Sequence, residues 1–276
     1  MSPRWLQRAV SLADAVFDTC SAPAGDGDVV MLIFHRVGRR SSSPVDVSRS
    51  TFCRQLDLLD PARVIGLDAA LDTLTQPGAG AATAAAGRGP SYVLTFDDGT
   101  ADWVDVVAPI LVERRLPATF YVATAYVDEQ RTLPDAGRPI SWNGLRELDD
   151  TGLATIGSHT HTHRVLGRAD ADTATGELDR SIGLLEAHLG GRRCHFAYPN
   201  AVAGSPAAEA VVRRRTTSAV LAGHRGNRPA RTDPHRLGRH ALTIADDDTR
   251  FTRKAAGGAR PEGWLREHRD RFRHRR

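Results

Sequence analysis

Residues 92–99 read YVLTFDDG. Tyr92, Val93, Leu94, Thr95 and Phe96 are aromatic, β-branched or apolar, the composition of a buried strand. That run passes straight into Asp97, Asp98 and Gly99. Two adjacent carboxylates at the end of an apolar strand suit a turn, a helix N-cap or a reaction site. The same arrangement recurs downstream. A strand over residues 153–157 leads into Ser158-His159-Thr160-His161-Thr162-His163, and one over residues 195–198 leads into Pro199-Asn200.

Between these strands lie helical patterns. Residues 51–59, 101–115, 142–148, 175–189 and 206–215 read as helices. Pro109 should bend the second or mark its boundary. Gly190 and Gly191 should stop the fourth. Further strands are expected over residues 29–34, 64–67, 118–123, 218–222 and 239–244, with a loop over 127–140. Strands alternating with helices predict a parallel sheet. About seven such units, with neither GxGxxG nor a P-loop, favour an α/β fold closed as a barrel over a doubly wound nucleotide fold. In a parallel barrel all strand C-termini share one face, so the carboxylates and imidazoles above should converge there.

The formal charge is +4, from 37 Lys+Arg against 33 Asp+Glu. The last eleven residues hold six Arg against Glu267 and Asp270, which accounts for all of it. A neutral body excludes the basic footprint of a nucleic-acid binder, and the tail is expected to be a solvated terminus. The longest purely apolar run covers residues 29–34, far short of the ~20 residues a membrane-spanning helix needs. Residues 4–19 have helical spacing, but Arg8, Asp14 and Asp18 interrupt what a signal peptide would keep uncharged. An amphipathic helix packed on the domain, and a cytoplasmic location, are expected. Cys20, Cys53 and Cys194 are too scattered for a disulfide framework or a metal knuckle. Residues 76–90 form a stretch rich in Gly, Ala and Pro that reads as a surface loop. The expected organisation is a helix and linker over 1–28, a catalytic domain over 29–250 and a flexible basic tail over 251–276.

The chemistry of the cluster follows from residue types. His159 and His163 are four apart and on a helical turn would share a face. A carboxylate from another strand would complete a His₂–Asp set with open positions, the pattern of a catalytic rather than a structural zinc site. Of two adjacent carboxylates, one can bind the ion while the other serves as base for the water that the ion activates. Because strand neighbours point opposite ways, both should lie just past the strand. His161 falls off the ligand face.

TFDDG (residues 95–99), GSHTHTH (157–163) and FAYP (196–199) together resemble the motifs of the polysaccharide deacetylases of carbohydrate esterase family 4. LPATFYV (116–122) and SWNGLREL (141–148) support the likeness. LIFHRV (32–37) resembles the opening YHRV motif of a circularly permuted branch, and RLGRH (236–240) a late motif of the same branch. The resemblance spans roughly residues 29–245. It implies a distorted (β/α) barrel, a divalent metal, usually zinc, and hydrolysis of an N-acetyl group on an amino-sugar of a glycan or glycoside. By motif position it implies Asp97 as general base, with Asp98, His159 and His163 as metal ligands. Tyr198 and Pro199 would line the acetyl site, with a backbone N–H there for the oxyanion. His35 would be the general acid, with His240 as second choice. The third motif departs from the family at Asn200-Ala201, where Tyr-Gly is usual. Ala197 stands where many relatives carry an Arg that braces the base. Arg239 is expected to supply that charge, ahead of Arg193. O-acetyl ester cleavage and a silent carbohydrate-binding barrel are the alternatives.

Overall fold

The computed structural model describes residues 23–76, 88–223 and 226–258. The expected helix over 4–19, most of the 76–90 loop and the Arg-rich tail lie outside the described residues. The elements in chain order are β1 (Val29–Phe34), β2 (Arg36–Val37), β3 (Asp46–Val47), α1 (Arg49–Asp57), α2 (Leu67–Thr75), β4 (Ser91–Asp98), α3 (Ala108–Arg114), β5 (Ala118–Val122), α4 (Thr124–Asp128), α5 (Trp142–Asp149), β6 (Ala154–Ser158), α6 (Ala171–Leu189), β7 (His195–Ala197), α7 (Pro206–Arg215), β8 (Ser218–Ala222), β9 (Leu237–Ala241) and α8 (Asp248–Ala255). Strands β1-β4-β5-β6-β7-β8-β9 form one closed barrel, with every pair parallel and β9 returning to β1. The expected α/β barrel is thus the observed fold.

Period-two alternation sets which side chains face out. Phe34, Phe96 and Phe120 are register partners across β1, β4 and β5. Their rings stack in sequence at 5.4 and 4.9 Å between centroids, sealed by Phe52 and Trp103. This ladder belongs to the outer core between barrel and helices, with Val30, Leu32 and Leu94. The alternate set, Val29, Met31, Val93, Tyr121, Val220 and Leu237, packs inside the barrel with Leu67, Ala70 and Leu74 of α2. Helix α2 therefore plugs the barrel at the end where the strands begin. Asp68 on that helix meets His195 Nε2 at 3.1 Å, and His195 Nδ1 meets Ser218 Oγ at 2.9 Å.

Three local expectations change. Residues 64–67 form no strand: Val64 makes a lone bridge to Tyr92, and Leu67 already opens α2, because the apolar stripe Leu67, Ala70, Leu74 has helical spacing. The helix expected over 101–115 is divided. Pro109 has no N–H to give Asp105, and the turn before it, Trp103–Val107, is π-helical, with Ala108 N–H reaching Trp103 O. The boundary at residue 251 does not hold either. Asp247 caps α8, which runs through it, and Phe251 is fully buried. Among the described residues, no helix is long and apolar enough to cross a membrane.

Candidate metal centre and active site

Asp97 and Asp98 end β4, and β4 extends through both rather than stopping before them. Asp98 has φ 88. This left-handed twist breaks the alternation of side chains, which is how two neighbours come to share one site without a loop between them. The imidazoles arrive differently from the expected helical turn. Residues 159–165 form an irregular bend, with Thr160 at φ 64 and His163 at φ 63. Glu177 of α6 holds this bend. Its carboxylate accepts the N–H groups of His161 and Thr162 at 2.9 and 2.8 Å and the Thr162 hydroxyl at 2.6 Å. The start of α4 adds Ala125 N–H to His161 O at 2.8 Å. His161 itself turns aside, its Nδ1 at 3.0 Å from Thr124 Oγ1.

Asp98, His159 and His163 each present one ligand atom, all within 4.8 Å of one another. His159 Nε2 and His163 Nε2 lie 3.6 and 3.4 Å from Asp98 Oδ1. Donors about 2.0–2.2 Å from a tetrahedral zinc stand roughly 3.4 Å apart, so the spacing fits such an ion. His159 Nδ1 sits 2.8 Å from the Ala197 carbonyl, to which it donates, leaving the Nε2 lone pair for the cluster. Burial pushes the His159 pKa down to about 4, the nearby carboxylates only partly offsetting it, so the ring is neutral as a ligand must be. Burial opposes the charge of His163, but its bond to Asp98 and the charges of Asp98 and Asp97 together outweigh this and raise its pKa. For Asp98 burial is likewise outweighed, by His163, His35 and His159, and its pKa falls below the usual carboxylate range.

Asp97 is buried beside this cluster, with Oδ2 3.9 Å from His159 Nε2. Arg239, fully buried on β9, grips it with a two-pronged fork: Nη1 to Oδ1 at 2.7 Å and Nη2 to Oδ2 at 2.8 Å. Nη1 also donates to Thr95 Oγ1 at 3.0 Å. Burial would raise the Asp97 pKa, but Arg239 and then His159 outweigh it and hold the carboxylate ionised. Arg193 is elsewhere, paired with Asp149 at 2.8 Å.

His35 follows β1 and its carbonyl is anchored by Trp103 Nε1 at 2.9 Å. It acts electrostatically to lower the pKa of both Asp97 and Asp98, and its Nδ1 is buried with no hydrogen-bond partner among the described residues. His240 stands next to Arg239 on β9 and pairs in register with outward-facing Leu32. Alternation therefore puts it on the opposite face from Asp97, and it cannot serve as the acid.

Tyr198 also departs from expectation. Its N–H donates to Val220 O at 3.0 Å, and its ring packs on Phe196 in the core beneath α6 and α7. The Tyr198 amide is used by the sheet and cannot hold an oxyanion. Pro199 has no N–H, and Ala201 and Val202 donate back to Tyr198 and Pro199. Asn200, exposed and at φ 55, carries the next amide past β7 after that of Tyr198. Glu177 carries no marking in the sequence, and Thr95 and Asn200 stand in or beside the strand-end motifs without a sign of these roles. Each acts through a partner far along the chain or through a backbone group.

Comparisons with known proteins place the chain among similar sequences and folds. Residues 84–214 match the family model "Polysaccharide deacetylase". A chitooligosaccharide deacetylase from Sinorhizobium fredii is 34% identical over 97 residues, 34% of this chain and 40% of that protein. The structure of IcaB from Ammonifex degensii aligns at TM-score 0.68 and 27% identity, covering 84% of this chain and 97% of that one. The Streptococcus pyogenes deacetylase PplD aligns at 0.66 and 19% identity, covering 84% and 98%, a likeness of fold alone. The matched stretch spans the strand that ends in Asp97 and Asp98 and the one that leads into His159, and over residues 84–214 the chain is similar to the polysaccharide deacetylase family, on a barrel shared with these structures.

Proposed function

We propose that this chain is a metal-dependent hydrolase that removes N-acetyl groups from amino-sugars in a glycan or glycoside. The observation that carries the reading is the Asp98, His159 and His163 cluster standing beside an Asp97 that Arg239 holds ionised. The Sinorhizobium fredii relative, a chitooligosaccharide deacetylase, points to the same substrate class. A divalent cation on the three ligands, zinc first among candidates, would supply Lewis-acid activation of the water and the acetyl carbonyl.

The chain's own residues do the rest. Asp97 takes the proton of the attacking water, with Arg239 fixing its orientation. The Asn200 N–H, in place of that of Tyr198, donates to the developing oxyanion. His35, which acts electrostatically on both carboxylates, returns a proton to the leaving amine.

The test compares metal per chain with acetate release from chitooligosaccharides and acetylated xylan. Asp98→Ala, His159→Ala and His163→Ala should each lose metal and activity, since each removes one of three protein ligands. Asp97→Asn should keep its metal yet lose ~10²-fold or more in turnover, because an amide cannot accept the proton. His35→Ala should also keep the metal and lose ~10²–10⁴-fold. Normal turnover in Asp97→Asn, or metal and rate retained in the histidine ligand variants, would overturn the reading. Release from xylan alone would replace amide hydrolysis with ester hydrolysis.

A further inference from the structure

Asp97 is oriented by Arg239, and Arg239 is itself held from more than one side. Besides the fork to Asp97 and the bond to Thr95, its Cζ lies over the ring of Tyr121, 5.3 Å from the centroid. Tyr121 is the register partner of Asp97 on the next strand, facing the barrel interior with no solvent exposure. Gly157 of β6 borders the same ring. A Cβ on Gly157 would lie 3.0 Å from Tyr121 Cδ1 and Cε1, and 2.6 Å from the His195 carbonyl oxygen. The ring is thus wedged between a backbone without a side chain and a guanidinium. The Tyr121 hydroxyl is buried and bonds to no group among the described residues, so it takes no part in the fork.

We propose that Tyr121 is a positioning residue for the carboxylate base: its ring face keeps the Arg239 fork aligned on Asp97, and Gly157 leaves the room the ring needs. The inference rests on Asp97 acting as base. A desolvated guanidinium gains more from an aromatic face than an exposed one does, and Arg239 is fully buried. A small misplacement of a reacting group is enough to cost ~10²-fold in rate.

The experiment uses the full chain loaded with zinc and the variants Tyr121→Phe, Tyr121→Leu and Tyr121→Met. It reads kcat, KM, metal per chain and the NMR signals of the Arg239 guanidinium, whose terminal nitrogens stay distinct only while rotation is hindered. Tyr121→Phe keeps the ring and should stay within about threefold of wild type, with distinct nitrogen signals. The Leu and Met variants should lose roughly tenfold or more in kcat at unchanged KM and metal content, with averaged signals. On an Asp97→Asn background the Leu change should cost nothing further, since a residue acting through the base has no base left to position. Three results would overturn the proposal: distinct signals and wild-type kcat without the ring, a Phe variant as impaired as Leu, or full additivity with Asp97→Asn. If the Leu variant does not fold, Met and Phe carry the same comparison. Absence of acetate release from the wild type would sink the functional reading instead, and the guanidinium signals would still decide whether Tyr121 restrains Arg239.

Discussion

At the scale of single residues, histidines separate by what surrounds them. His159 and His163 meet a carboxylate at the mouth of the barrel, whereas His195 serves the opposite end. Burial pushes the His195 pKa below its ordinary value, and Asp68 offsets that only in part. Asp68 is largely exposed, so its charge is well screened. In the unfolded chain a histidine titrates near 6.5. As pH falls below about that value, the unfolded form binds a proton before the folded form does, so His195 withdraws stability on acidification. The stability it leaves intact at neutral pH should fall as the pH drops through about 6.5 and below. Melting curves across that range should show a steeper loss for wild type than for His195→Gln. Parallel curves would mean that the Asp68 and Ser218 contacts, not the titration, set its worth.

Among elements, α8 was missed in the sequence and is a structural part of the barrel. Its run is mostly polar and carries one aromatic residue, so its apolar stripe is thin. The marks are nonetheless there: Asp247 caps it by accepting Arg250 N–H, and Phe251, Lys254 and Ala255 are buried at helical spacing. Lys254 is the chain's single lysine and pairs with buried Asp246 at 2.7 Å, while also donating to Ala241 O at the end of β9. Phe251→Ala should destabilise the fold by about 3–5 kcal/mol, the range for a large core side chain cut to alanine. Urea unfolding would read this as a lower midpoint at unchanged slope. A loss below about 1 kcal/mol would return residues 251–258 to the tail they were expected to form. The Pro109 reading fared better. Its missing donor is a covalent fact, so the sequence located the break, although not its π-helical form.

Across the whole molecule, barrel closure is uneven. Six register pairs join β1 to β4 and five join β4 to β5, but β6 meets β7 only at Ser158 and Phe196. Few ladder bonds mean cheaper local opening, so amide exchange should be faster along β7 than along β4. Equal protection would show that α6 and α7, packed outside, hold the seam as firmly as a full ladder. The sequence by itself determined the alternation of strand and helix and the polar residues that follow each strand. Those properties are local, fixed by side-chain type and a period of two. Tertiary structure alone decided that Asp98, Thr160 and His163 take left-handed backbones, that Glu177 holds the bend, and that the Tyr198 amide is spent on β8. It also decided that Arg239 reaches Asp97, 142 residues earlier. A register across a closed barrel depends on which strand meets which, and that is settled by burying the whole interior at once rather than by any stretch of the chain.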